Sequence, residues 1–546
     1  MRSIGRPFVV TPPAGARIRT RLRLSEADEA VLRAVGDHLG RLASADLAWR
    51  CRLGQQDDLR TIRKRAFTGQ SSSRWAGAIT RTSGDQWQRA LANLADRRIM
   101  LRRAIRTIRS RLAVPVGSKQ DRVRGYATRT ERFAKRWRLQ HLEAELVEVE
   151  DRLAGRRMSV CRGGRRLAKQ RHTLDQAKVS EQQWRARWQA ERMFLTADGE
   201  TAKPWGNETI RVHPDQHWLE LRLPNPLAHL SNTPGRAATY RLACSVFFTH
   251  RSDEWAAQAA TGAVRYDVTF DPVRARWYLA GSWRLPAVQP PSLQDLRRHR
   301  ALGVDLNADH LACWVLDESG NPVGPPHTIP LELDSLPAST RDGHTRAAIT
   351  AVLGLAKVTG CRSLVVENLD FAITRHTGRE TLGRGRHGKR FRRTVAGLPT
   401  RRFRNLLVGM AANHQLWVLA VDPSWTSKWG QRHWLAPLAR STKSCVTVTR
   451  HHAAAVVIAR RGLGVGARRR PGVPGNDQRI VAGELPTRPS RQRPGPQGPG
   501  PPGGQRAAAV PRRTRSAERS RLGDQVVQDR SGPPGQDTVL HTCQER

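Results

Sequence analysis

Two acidic residues end apolar runs in the C-terminal half of the chain: Asp305 in Gly303-Val304-Asp305-Leu306-Asn307, and Glu367 in Val365-Val366-Glu367-Asn368-Leu369-Asp370. Phosphodiester hydrolysis by two divalent cations needs several carboxylates converging from different elements, because each ion brings two positive charges to one place. An aspartate after a strand is ordinarily a turn or cap residue, and for either position taken singly that reading wins. Taken together, two acids at the ends of two apolar strands predict a pair of metal ligands.

Those side chains can meet only if their strands are neighbours in one sheet. Leu302 to Asp305, His310 to Leu316 and Val323 to Leu331 read as three meandering strands, with Asp317-Glu318-Ser319-Gly320-Asn321 as a turn. A helix expected over Thr340 to Lys357 precedes a strand over Ser363 to Glu367, and a helix over Phe403 to His414 leads into a strand over Leu416 to Val421. This order of three strands, helix, strand, helix, strand is that of a ribonuclease-H-like α/β domain, assigned to residues 301–463.

Two more segments complete a set: Val421-Asp422-Pro423-Ser424-Trp425-Thr426-Ser427, and Arg450-His451-His452-Ala453-Ala454-Ala455 running into Arg460-Arg461-Gly462. In this order and at these separations the four segments resemble the transposon-encoded TnpB nucleases, compact relatives of the type V CRISPR effectors. The resemblance covers the chain up to Gly464, but its specific motifs lie between Leu302 and Gly462. It implies a RuvC-like domain cutting DNA under RNA guidance, a two-metal site for Mg²⁺ or Mn²⁺, and DNA and a guide RNA as partners.

Anchored on Ala454-Ala455 and Arg460-Arg461-Gly462, the family's third carboxylate falls on His451, so the implied catalytic and metal residues are Asp305, Glu367 and His451. Imidazole is a poor ligand for Mg²⁺ and acceptable to Mn²⁺. His451 therefore implies a weakened enzyme or an inactive one. Asp422 and Asp309 are expected to be structural, and His452 to cap the helix of alanines. The family's two C-x-x-C pairs are missing: Gly430 and His433 stand in the first, and Cys445 alone remains near the second. His433, Cys445 and His451 without pair geometry argue against zinc. Trp425, Trp429 and Trp434 are expected to fill that space.

Composition agrees with a polyanionic partner. The 546 residues carry 94 Lys and Arg against 47 Asp and Glu, a formal charge of +47, which draws in nucleic acid and releases its counterions. Codon bias explains arginine over lysine but not the excess of positive charge. A basic glycine-rich stretch over 378–393 offers Arg384, Arg386, Lys389, Arg390, Arg392 and Arg393 as phosphate contacts, with an ordinary solvated loop as the equal alternative. Seven scattered cysteines without a C-x-x-C pair read as reduced thiols. With no long apolar run and a polar start, the chain is expected in the cytoplasm, associated with the nucleoid and with no membrane.

The rest of the chain divides by periodicity. Ala16 to Leu24 alternate at period two, and five further strands are expected at Thr209–Val212, Trp218–Leu223, Ala243–Phe248, Tyr266–Phe270 and Trp277–Ala280. Residues 1–25 and 200–285 are thus assigned to a small β-barrel interrupted by a helical lobe over 26–199. Within the lobe, apolar seams from Leu94 to Leu112 and from Leu139 to Leu153 predict an antiparallel helical hairpin, and Ser180-Glu181-Gln182-Gln183 predicts a capped helix start. Residues 286–300 form a linker, and the Pro/Gly/Arg-rich tail over 464–546 is expected to be disordered. The fold class is multidomain α+β. The competing functions are an RNA-guided endonuclease, a nuclease-impaired DNA-binding protein or repressor on the same scaffold, and a generic basic RNA-binding protein that needs neither Asp305 nor Glu367.

Overall fold

The computed structural model describes residues 4–54, 58–121, 123–235, 238–334, 336–369, 400–442 and 447–468. The chain forms two compact units, one spanning Gly15–Pro286 and the other containing the residues up to Ala14, Ala287–Leu369 and the chain from Leu398. The expected basic loop over 378–393, with Arg384, Arg386, Lys389, Arg390, Arg392 and Arg393, lies outside the described residues, as does the expected tail beyond Arg468. No helix among the described residues is long and apolar enough to cross a membrane.

The second unit is built on a six-stranded sheet in the order Phe8–Val9, Trp417–Val421, Ser363–Glu367, Ala301–Leu306, His310–Leu316, Pro322–Pro330. The Ala301–Leu306, Ser363–Glu367 and Trp417–Val421 strands run parallel. Their near-continuous apolar sequences suit strands covered on both faces. Alternation then divides the side chains. Leu302, Val304, Leu364 and Val366 face a core shared with the helices Ala338–Val358 and Thr400–Ala412. Ala301, Val365 and Leu419 face a second core closed by the helix Arg450–Leu463. Asp305 and Glu367 share the parity of this second face.

The Arg450–Leu463 helix sits directly on the sheet because side chains are missing where it touches. A Cβ at Gly303 would lie 2.1 Å from the carbonyl oxygen of Ala455, and one at Gly462 would lie 2.7 Å from both methyls of Val365. Gly430 packs as closely on the Ala453–Ala454 peptide, with 2.7 Å from an added Cβ to the Ala454 nitrogen. The helix is thereby fixed against the strands through backbone contact, where even one methylene is felt.

In the first unit, strand Gly15–Leu22 pairs over its whole length with Arg276–Arg284, from across the helical insertion. They belong to a four-stranded sheet completed by Arg265–Asp271 and Thr196–Ala197, while Ile210–Val212, Leu219–Arg222 and Thr239–Arg241 form a separate three-stranded sheet. Among the described residues neither sheet closes on itself, so the expected barrel stands as two open sheets. The expected Ala243–Phe248 strand is irregular: Leu242 and Val246 each donate one isolated bond, to Leu219 and His217, and no ladder forms. Among the described residues of this unit the longest helices are Ser73–Ala113, Glu26–Leu53, Arg129–Ala154 and, after these, Glu181–Arg192, with shorter ones such as Arg60–Thr68 and Ser252–Thr261 elsewhere. The Glu181–Arg192 helix begins with the Ser180–Gln183 capping box read from the sequence.

Candidate active site

Asp305 and Glu367 end adjacent parallel strands whose register pairs Val304 with Val366, so the two carboxylates emerge side by side from the same face. Asp305 is buried. Its Oδ2 accepts from the side-chain amide of Asn307 at 3.1 Å and from Nδ1 of His451 at 3.0 Å. Glu367 accepts from the Thr426 hydroxyl, whose single proton is shared with the Pro423 carbonyl. Burial pushes the Glu367 carboxyl up to about 7, and the neighbouring charge of Asp305 adds to the rise. The Thr426 bond and the Arg461 cation work the other way without cancelling it.

His451 is the second residue of the Arg450–Leu463 helix and is delivered to Asp305 by the glycine contacts described above. The Arg450 Nε–H donates to Nε2 of His451 at 3.3 Å, which leaves the ring proton on Nδ1, pointing at Asp305. The His310 ring stands edge-on to His451 at 5.2 Å, while its own Nδ1 meets Asp309 at 2.7 Å. His452 is a cap: Nδ1 accepts from the Thr449 backbone at 3.1 Å in a capping box, and Nε2 meets Thr328 at 2.9 Å. Burial holds its imidazole below the ordinary range.

Asp422 and Asp309 occupy turns. Asp422 accepts from the Ser424 backbone at 2.8 Å and from the Gly5 backbone at 2.9 Å. Burial raises its carboxyl, but those bonds and the Arg461 charge outweigh it and hold the group below its usual value. Arg461 also donates to the carbonyls of Asp422 and Ser424, clamping the loop that carries Thr426. Where the sequence lacked a cysteine-paired ribbon, the described residues 426–441 are helical. Trp434 is buried and Trp429 packs partly against the same core, but Trp425 is 53% exposed in a left-handed backbone conformation, contrary to the expectation that all three fill space. Cys445 lies outside the described residues.

The structure brings together Asp305, Glu367 and His451, the three residues singled out in the sequence, and adds Asn307, Thr426, Arg450 and Arg461 around them. All four lay within the quoted segments, but none was assigned a role there, and their contacts with the three site residues follow from the folded geometry. As a resident divalent-cation site the set does not fit: among the described residues no three His, Cys, Asp or Glu side chains are disposed to hold an ion. His451 offers Asp305 a proton where a metal site needs a lone pair.

No protein-family model and no curated protein matches the chain. Among solved structures, the chain is similar to Thermus thermophilus RuvC in complex with a Holliday junction substrate, at 15% identity and a TM-score of 0.21, over 30% of this chain and 91% of that one. A further T. thermophilus RuvC structure gives 16% identity and a TM-score of 0.19, over 30% of this chain and 92% of that one. A Cas12f1–sgRNA–target DNA complex gives 8% and 0.29, over 81% of this chain and 98% of that one. At such scores these likenesses add nothing to what the geometry shows.

Proposed function

We propose that this chain is an RNA-guided DNA-binding protein of TnpB-like descent, in which a RuvC-like cutting site is impaired by His451. The observation that carries the reading is the 3.0 Å bond from His451 Nδ1 to Asp305. The two carboxylates at neighbouring strand ends support descent from a metal-dependent nuclease, and the imidazole now engages one of them, Asp305, by hydrogen bonding. The protein then keeps what the charge of +47 supports, binding to nucleic acid, and loses turnover. In this scheme pairing with a guide RNA selects the sequence. A weak Mn²⁺-dependent nuclease is the second reading, favoured by the adjacency of the two carboxylates and by the raised Glu367, which would gain from a nearby cation.

The test uses full-length protein with its co-purifying RNA, sequenced to define a matching target. Target binding that weakens steeply with salt, without cutting in Mg²⁺ or Mn²⁺, supports the first reading, and His451→Asp should then cut. Cutting by the unaltered chain in Mn²⁺, abolished by Asp305→Ala, establishes the second. Protein that binds no RNA at low salt defeats both.

A further inference from the structure

The helix Arg129–Ala154 packs on Ser73–Ala113 through a seam that includes Leu101, Ile105, Ile108, Leu142 and Val149. Three glutamates of its acidic half pair with the partner helix: Arg97 bonds Glu145, Arg102 bonds Glu150 and Arg109 bonds Glu143. The other half is different. Between 129 and 138 it carries Arg129, Arg132, Lys135, Arg136 and Arg138 against Glu131 alone. On its outward face, at positions i, i+4, i+7 and i+8, stand Arg129, Phe133, Arg136 and Trp137, all exposed. Phe133 is 62% and Trp137 64% exposed, an unusual state for two aromatics one turn apart on a helix that buries its other face. Farther along this helix, Val147 and Leu146 border an open groove of about 570 Å³ whose opposite wall carries Arg102, Arg106 and Arg109.

We infer that this face is a stacking platform for unpaired RNA, with bases laid on Phe133 and Trp137 and phosphates drawn to Arg129 and Arg136. Aromatic rings interleaved with arginine serve single strands, since every base has a π-face and every nucleotide a charge. Duplex DNA keeps its bases stacked inside, whereas folded RNA presents unpaired ones in loops and ends. A second copy of the chain is disfavoured as occupant, because docking face to face would set the arginines of both copies against each other. The inference rests on the proposed RNA-bound function and places part of that RNA on a named surface.

The experiment measures binding of full-length protein, stripped of RNA, to an unstructured RNA oligonucleotide and to an abasic strand of equal length at fixed salt. The unaltered chain should prefer the base-bearing RNA by about ten-fold or more, the worth of roughly one stacked base. Phe133→Ala with Trp137→Ala should erase that preference and leave the abasic affinity in place, while Arg136→Ala should lower both and reduce the salt slope by about one. Both aromatics are exposed, so the double variant should keep its thermal transition. The platform is overturned if the double variant retains the preference, if single-stranded DNA of the same sequence is favoured over RNA, or if the substitutions turn a dimer into a monomer without changing RNA affinity. Loss of RNA binding by the unaltered chain would sink the proposed function itself, a different failure.

Discussion

At the sheet-based site a few charged side chains meet in a hydrogen-bonded cluster around the buried Asp305, whereas charge along the helical hairpin is dense and largely exposed. Asp305, Glu367 and His451 are placed by strand register and by glycines that let one helix touch the sheet. The hairpin's exposed arginines are placed by little more than the turn of a helix. The lesson concerns placement: a site positioned by backbone contact can change a side chain without losing its geometry, while charge spread along a helix face depends on no single tertiary contact.

The comparison breaks most visibly at Gly303. Valine there would drive carbon atoms into the Ala455 carbonyl, and we expect destabilisation of about 3 kcal/mol or more, the upper range for overpacking, read as a fall in urea midpoint. A change under about 1 kcal/mol would mean that the helix is not seated as described.

Next in size is His451→Asp. An aspartate oxygen sits at the same bond count from the backbone as Nδ1, so the 3.0 Å attraction becomes an opposition of two carboxylates. The melting temperature should drop in EDTA, by the equivalent of about 1–3 kcal/mol, and recover on adding Mn²⁺ or Mg²⁺. His451→Asn, which can keep a donor toward Asp305, should need no cation. Equal melting of the aspartate variant with and without metal would show that residue 451 and Asp305 do not meet.

Glu367 sharpens the contrast through pH. Its folded value near 7 lies above the 4.5 of the free side chain, so the folded protein holds a proton that the unfolded chain has released between these values. Without added metal, its contribution to stability therefore declines as pH rises from about 4.5 to about 7. Glu367→Gln should remove that decline, and urea midpoints of the two proteins should diverge toward the upper end of the window. Parallel midpoints across it would place Glu367 in open solvent.

The smallest effect is expected in the hairpin. Arg109→Ala removes an exposed ion pair with Glu143, and should cost no more than about 0.5 kcal/mol. A loss comparable to that at Gly303 would mean that the hairpin's charges are as constrained as those of the sheet.

Much of the site was legible because parallel strands demand uninterrupted apolar residues, so an acid at the end of Ala301–Leu306 or Ser363–Glu367 stands out. Ser180 and Gln183 announced a helix start for an equally local reason. Other features depend on tertiary partners. The Ser73–Ala113 helix begins well before the seam at Leu94, because Trp75, Ile79 and Trp87 are buried among intervening Gly, Ser and Thr that blur the period. The left-handed Trp425 and the bond from Arg450 to His451 follow from packing, which no spacing rule encodes. Ala243–Phe248 shows the reverse error, an apolar run whose backbone found single partners and no strand to pair with.

Gly303, Gly430 and Gly462 seat the Arg450–Leu463 helix, yet none of them takes part in the hydrogen bonding at its first turn. Position 451 is thus an address that outlasts whatever side chain is written there. Histidine and aspartate codons differ by one base, so the chemistry at this position can be rewritten in a single step while the glycine contacts that seat the helix stay as they are.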